Sequence, residues 1–162
     1  MPKRLSNEET LKKAMHAAVH LLALRSHTAY EIKQKLKKRG FSMEAISRTI
    51  SECTRLNYLN DTDYARFYFE SLTAKGYGPH RIRNAMRQKG LSGEIIQQIF
   101  IEQDAEHGEL ENCRRAFHKK IATFHHLKNP KKRREKIYRY LYQRGFTGSV
   151  IREVMGNHFH GS

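Results

Sequence analysis

The sequence is short of the features that mark secreted, membrane-spanning or metal-stabilised proteins. It has two cysteines, Cys53 and Cys113, sixty residues apart and with no CxxC spacing. That excludes a disulfide framework and a cysteine-based zinc site, and fits a reducing cytosol. No long apolar run occurs. The longest, Ala17 to Leu24, is broken by His20, whereas a spanning helix needs about 20 residues. Basic Met1-Pro2-Lys3-Arg4 leads straight into polar Ser6 to Thr10, so no signal peptide is expected, and the chain reads as cytoplasmic. Low-complexity tracts are absent, as are alternating strand patterns and Asn-Gly or Asp-Gly hairpin turns.

Acidic residues are scarce as well. Thirty-one Lys and Arg face 16 Asp and Glu, for a net charge of +15, which favours an anionic partner. Residues 1–60 carry +7 and residues 109–162 carry +9, while residues 61–108 carry −1. Within that neutral middle, Ser71 to Gly93 holds Lys75, Arg81, Arg83, Arg87 and Lys89 without a single carboxylate.

What the chain does have is an internal repeat. Aligned on three glycines, the copies read Ile32, Leu36, Gly40, Phe41, Ser42, Ile46, Ile50; then Ile82, Met86, Gly90, Leu91, Ser92, Ile96, Phe100; then Ile137, Leu141, Gly145, Phe146, Thr147, Ile151, Met155. Two apolar residues four apart share a helix face. Basic residues before the glycine suit the negative end of that helix. The glycine takes the left-handed position after it, and the next apolar residue folds back on the last turn. Ser or Thr then caps a second helix. A further helix precedes each pair, with stripes Leu11, Met15, Ala18, Leu22; Tyr64, Phe67, Tyr68, Ser71, Leu72; and Leu110, Cys113, Phe117, Ile121, Phe124. The expected fold is all-α: three tandem three-helix repeats at 1–57, 58–107 and 108–162, in an elongated or curved array.

Catalytic signals are weak. Gly76-Tyr77-Gly78-Pro79 lacks the third glycine and preceding strand of a phosphate loop; a turn with Pro79 at the first helical position explains it. His16 and His20 lie one turn apart without a third ligand, and solvated surface histidines are the plainer reading. Asp61 and Asp63 suit a Mg²⁺ pair but equally a helix N-terminus, where capping and dipole favour carboxylates. Cys53 and Cys113 fall at core spacing. The expectation is a non-enzyme without cofactor or metal.

The basic strip is the better candidate. On the helix after Pro79, Arg83 and Arg87 share a face, Arg81 and Lys89 flank it, and Lys75 closes the preceding helix. Five cations without a local acid repel one another, a cost an anionic partner relieves. Clusters Lys33/Lys35/Lys37/Lys38/Arg39 and Lys131/Lys132/Arg133/Arg134 occupy the equivalent helices of the other copies, so a periodic positive track facing DNA or a helical filament is expected. Tyr77 is the exposed candidate for stacking on a base.

Several segments resemble the RecX family, regulators of the RecA recombinase. They are Tyr58-Leu59-Asn60-Asp61, Tyr64-Ala65-Arg66-Phe67, Lys75-Gly76-Tyr77-Gly78-Pro79-His80-Arg81-Ile82-Arg83 and Lys89-Gly90-Leu91. Arg25-Ser26, Tyr30-Glu31-Ile32 and Lys35-Leu36 to Gly40-Phe41 resemble its first repeat; Tyr140-Leu141 to Arg144-Gly145-Phe146 resembles its third. The family often has arginines just before Lys75, where this chain has Leu72 and Ala74, and commonly Asp at Asn60. The resemblance implies a non-enzymatic protein that docks in the groove of the RecA–DNA filament and suppresses ATP hydrolysis, strand exchange and co-protease activity in DNA repair and the SOS response; a monomer is expected. It also implies binding to single- or double-stranded DNA without sequence preference. The site residues expected on this basis are Lys75, Tyr77, Arg81, Arg83, Arg87, Lys89, Lys35, Lys38, Arg39, Lys132 and Arg133. The alternative is a DNA-binding protein without a recombinase partner.

Overall fold

The computed structural model describes residues 6–159, apart from the side chains of residues 104–107 and 159. Those residues form nine α-helices and no strand: α1 (Asn7–Leu24), α2 (Ala29–Lys38), α3 (Met43–Arg55), α4 (Asp61–Ala74), α5 (Pro79–Gln88), α6 (Gly93–His107), α7 (Glu109–Ile121), α8 (Pro130–Gln143) and α9 (Gly148–Phe159), with a 3₁₀ turn at Ala122–Phe124. None is long and apolar enough to cross a membrane.

Helix starts follow the local chemistry. Ser6 with Glu9, and Thr28 with Glu31, form reciprocal capping boxes on α1 and α2. Ser42 caps α3 through the Ala45 amide, and Ser92 accepts from the Ile95 amide at 3.2 Å. In the third copy, the Thr147 amide donates to Glu109 Oε1 at 2.6 Å. Helix ends use the expected glycines. Gly40, Gly90 and Gly145 have φ of +84°, +75° and +95°. After Gly40 and Gly145 the next amide reaches back five residues, Phe41 to the Leu36 carbonyl and Phe146 to that of Leu141.

The chain packs as two compact units. One runs to Arg66 and takes in Arg87–Ile95; the other holds Phe67–Met86 and continues from Ile96. The first is cored by Ala17, Ala18, Leu21, Ile32, Leu36, Ile46, Cys53 and Leu59. In the second, Cys113, Ala116, Phe117, Ile137, Leu141, Phe146, Ile151, Val154 and Met155 form a cluster, and Phe69 meets Phe100 edge-to-face at 5.1 Å. Every apolar residue of the repeat pattern is buried except Phe41 and Ile50, which are half-buried.

Two preceding helices turn differently from their expected stripes. α1 buries Ala14, Ala17, Ala18 and Leu21, with Leu11, Met15 and Leu22 half-buried beside them. α4 buries Ala65, Phe69 and Leu72, while Phe67 is 74% exposed. Small alanines let helices approach closely, so Ala14, Ala17 and Ala18 on α1 and Ala65 on α4 take core positions alongside Leu21, Phe69 and Leu72.

Both cysteines are core residues. Burial pushes the Cys53 thiol up, and burial with nearby Glu109 pushes Cys113 up to about 12. Thiolate is the reactive form, so a thiol reagent at pH 8 should modify neither cysteine in the native protein and both in denaturant. Fast native labelling would show the cores open more readily than this packing implies.

Candidate functional site

In the first unit, the cations of α2 cluster toward its carbonyl end, where the dipole favours them. Lys33, Lys37, Lys38 and Arg39 are exposed, and Lys35 is half-buried. Lys89 departs from expectation. Its Nζ lies 2.9 Å from Glu31 Oε1, fifty-eight residues away in sequence. The Glu31 carboxylate also accepts from the Thr28 amide (3.2 Å) and Arg25 (3.4 Å). Burial alone would raise its pKa, but these donors outweigh burial and hold it down to about 2. Lys89 therefore neutralises an internal acid and leaves the outward-facing strip.

The same junction explains Thr28 and Gly90. The Thr28 hydroxyl donates to the Lys89 carbonyl at 2.7 Å. A Cβ on Gly90 would lie 2.2 Å from the Tyr30 ring, so the first turn of α2 seats directly on the second glycine turn.

The Asp61/Asp63 pair is divided. Asp61 Oδ1 accepts the Ala29 amide of α2 at 2.9 Å, whereas Asp63 pairs with Arg66 at 2.9 Å and its amide donates to Asn60. Burial raises the Asp61 pKa, partly offset by the Ala29 amide. Asp61 thus caps a helix of the preceding repeat as well as lying in the first turn of its own. Among the described residues, no group of three His, Cys, Asp or Glu could hold a metal ion.

In the second unit, Tyr77 is half-buried, with the guanidinium of Arg81 4.1 Å from its ring centroid and that of Arg144 at 4.8 Å. Cation–π contacts already occupy the ring, so it is not the open stacking platform expected. Arg83 is also half-buried, 3.7 Å from the centroid of the buried Phe100 ring. It packs on the core instead of standing outward. Lys75 and Arg81 remain exposed at their side chains. The Lys75 carbonyl accepts from Arg144 (3.2 Å), and Arg81 donates to the Gln143 carbonyl (3.4 Å).

A second junction matches the first. The Gly78 amide donates to the Arg144 carbonyl at 2.7 Å and the His80 amide to the Gly145 carbonyl at 3.0 Å. The first turn of α5 therefore seats on the third glycine turn.

The expected periodic track does not recur at one helix position. α8 begins fifteen residues ahead of its glycine, whereas α2 and α5 begin eleven ahead of theirs. Lys131, Lys132 and Arg133 sit in this extra turn and Arg134 follows it, at the positive end of α8 and with no acid among them. Counting back from the glycines, Lys33 and Lys37 correspond to Arg83 and Arg87 in the second copy and to Tyr138 and Tyr142 in the third. Those two tyrosines stack with centroids 6.2 Å apart and planes 12° from parallel, and Tyr142 is 62% exposed. Sequence reasoning passed over this pair because it assigned most aromatics to core stripes. The i, i+4 spacing between the core positions Ile137 and Leu141 was the available signal.

Comparison with known proteins places this architecture. Family models of the first, second and third three-helix domains of RecX match residues 14–53, 60–99 and 108–155. Regulatory protein RecX of Haemophilus influenzae strain PittEE is 32% identical over 145 residues, covering 88% of this chain and 93% of that one. The chain belongs to the RecX family. Regulatory protein RecX of Prosthecochloris aestuarii is 33% identical over 153 residues, covering 93% of this chain and 96% of its own. The crystal structure of RecX from Lactobacillus salivarius superposes with a TM-score of 0.81 over 93% of this chain and 97% of that one. At 22% identity, that RecX structure bears on the fold alone.

Proposed function

We propose that this RecX-family chain is a non-catalytic cytoplasmic regulator that binds the RecA–DNA filament and suppresses ATP hydrolysis, strand exchange and co-protease activity. DNA repair and the SOS response are the setting of that activity. Near-full-length similarity to regulatory RecX proteins is the observation that carries the reading. The +15 charge supports it, since a cationic chain is drawn to a nucleoprotein filament. The repeats at 1–57, 58–107 and 108–162 are the proposed modules, acting as a monomer. After the losses of Lys89, Tyr77 and Arg83 to internal contacts, the proposed contact residues are Lys35, Lys38, Arg39 and Arg87 in the first unit, with Lys33 and Lys37 on the same helix as Lys35 and Lys38, and Lys75, Arg81, Lys132 and Arg133 in the second.

The test is recombinase ATP hydrolysis on single-stranded DNA with this protein added below stoichiometry. Inhibition is expected, and the Lys33→Glu, Lys37→Glu, Arg87→Glu triple variant should weaken it at least tenfold with helicity retained. Arg83→Glu is a poor probe because it removes the contact with Phe100. No inhibition by the parent chain, with DNA binding intact, would leave a DNA-binding protein that acts without a recombinase. DNA binding itself should fall with salt at a log–log slope near about −4.5 if about five phosphates are neutralised.

A further inference from the structure

The third repeat breaks the cationic pattern, and it does so at one place. Where the first two copies carry Lys33/Lys37 and Arg83/Arg87, the third carries the stacked pair Tyr138 and Tyr142. Beside these rings, α8 and α9 enclose an open groove of about 680 Å³, lined by Arg134, Glu135, Tyr138, Arg139, Tyr142 and Arg152, with Met155 and Gly156. Arg139 and Arg152 are exposed, as are Arg134 and the single carboxylate, Glu135. A Cβ on Gly148 would lie 3.0 Å from the Tyr138 hydroxyl and 3.2 Å from an Arg152 guanidinium nitrogen. The start of α9 is thus kept small where both of those side chains pass.

We infer that this groove is a binding site for single-stranded DNA, in which bases stack on Tyr142 and the adjoining Tyr138 while Arg139 and Arg152 hold the phosphates. The inference deepens the DNA part of the proposed function and rests on that reading. Three features select this ligand. Parallel rings share one facing direction, and every base presents a π-face that such rings accept regardless of sequence. The guanidiniums outnumber the carboxylate three to one along the same groove. In a duplex the bases are stacked on each other and unavailable to tyrosine, so the aromatic element discriminates strands in a way lysines and arginines do not.

The experiment measures fluorescence anisotropy of a labelled oligo-dT and of a duplex of equal length, across a salt series, with full-length variants. Tyr142→Ala should weaken oligo-dT binding about 5- to 30-fold, from the cost of about 1–2 kcal/mol for one lost base stack. It should leave the duplex affinity and the salt slope unchanged. Tyr142→Phe should bind like the parent, because the π-face is retained. Arg139→Ala should lower both affinities and reduce the salt slope by about one. Photocrosslinking of 5-iodouridine-substituted strand should label Tyr138 or Tyr142.

Unchanged oligo-dT binding by Tyr142→Ala would overturn the inference while leaving DNA binding elsewhere on the protein intact. An equal loss on strand and duplex from Tyr142→Ala would overturn it too, reducing the groove to general electrostatics. A variant that keeps oligo-dT binding but loses recombinase inhibition would assign the groove to a protein contact instead. Absence of any DNA binding by the parent chain would take the DNA part of the proposed function down with it.

Discussion

Gly145→Ala should cost at least about 4 kcal/mol of unfolding free energy, while Gly40→Ala should cost only about 1–2 kcal/mol. Both glycines hold positive φ, so both substitutions force a Cβ into a backbone conformation that opposes it. The difference lies in what the Cβ meets. At Gly40 nothing stands within 4 Å. At Gly145 the Cβ would be 2.5 Å from the Arg81 backbone nitrogen and 2.6 Å from its Cβ, and backbone cannot swing aside as a flexible side chain can. Gly78→Ala isolates the steric part, because Gly78 carries no positive φ yet its Cβ would lie 2.5 Å from the Gly145 carbonyl carbon. Urea unfolding of the three variants should rank Gly40→Ala as mildest by a wide margin. Equal losses at all three would mean that α5 does not seat on this turn.

Acid should unfasten the other junction. Glu31 is held at about 2 against an ordinary 4.5, by hydrogen bonds from Lys89, the Thr28 amide and Arg25 that overcome its burial. A carboxyl whose folded pKa lies below its unfolded value stabilises fully above the unfolded value, and loses that contribution as pH falls toward the folded one. The window here runs from about 4.5 down to about 2. The shift corresponds to about 3 kcal/mol, reasonable for a side chain that retains only 15% of its exposure. Urea unfolding at pH 6 and pH 3 should show most of that loss in the parent protein. Glu31→Gln should be less stable at pH 6 and show a correspondingly smaller decline at pH 3. If the variant matches the parent at both pH values, the Lys89–Glu31 pair contributes nothing to the fold.

The two junctions also mark where sequence reasoning reached and where it stopped. Ile32 with Leu36, Ile82 with Met86 and Ile137 with Leu141 were legible because their spacing from a glycine repeats and each lies on one helix face. The same periodicity was ambiguous in α4, which carries Tyr64, Phe67, Tyr68 and Phe69 around much of its circumference. Only packing selects Phe69 and Ala65 for the core and leaves Phe67 outside. The candidate site was harder because a charge count treats each cation as facing water. Lys89 finds Glu31 across 58 residues, and Arg83 finds Phe100 across the helix pair. Neither pairing has a local signature. Tyr77 looked open for the same reason: Arg144, which helps to cover it, lies 67 residues further along the chain.

Seen as a series of joints, the repeats have a direction. Each joint sets the start of one repeat's middle helix onto the glycine turn of the repeat that follows. Among the described residues nothing stands within 4 Å of the Cβ that Gly40 lacks, so no helix start sits on the first glycine turn. At the opposite end, α8 starts a full turn early, so the stretch that would fill a following seat is already wound inside a helix. A module grafted ahead of the first would find a ready socket, and one appended behind the last would find no helix start free to enter its own glycine turn.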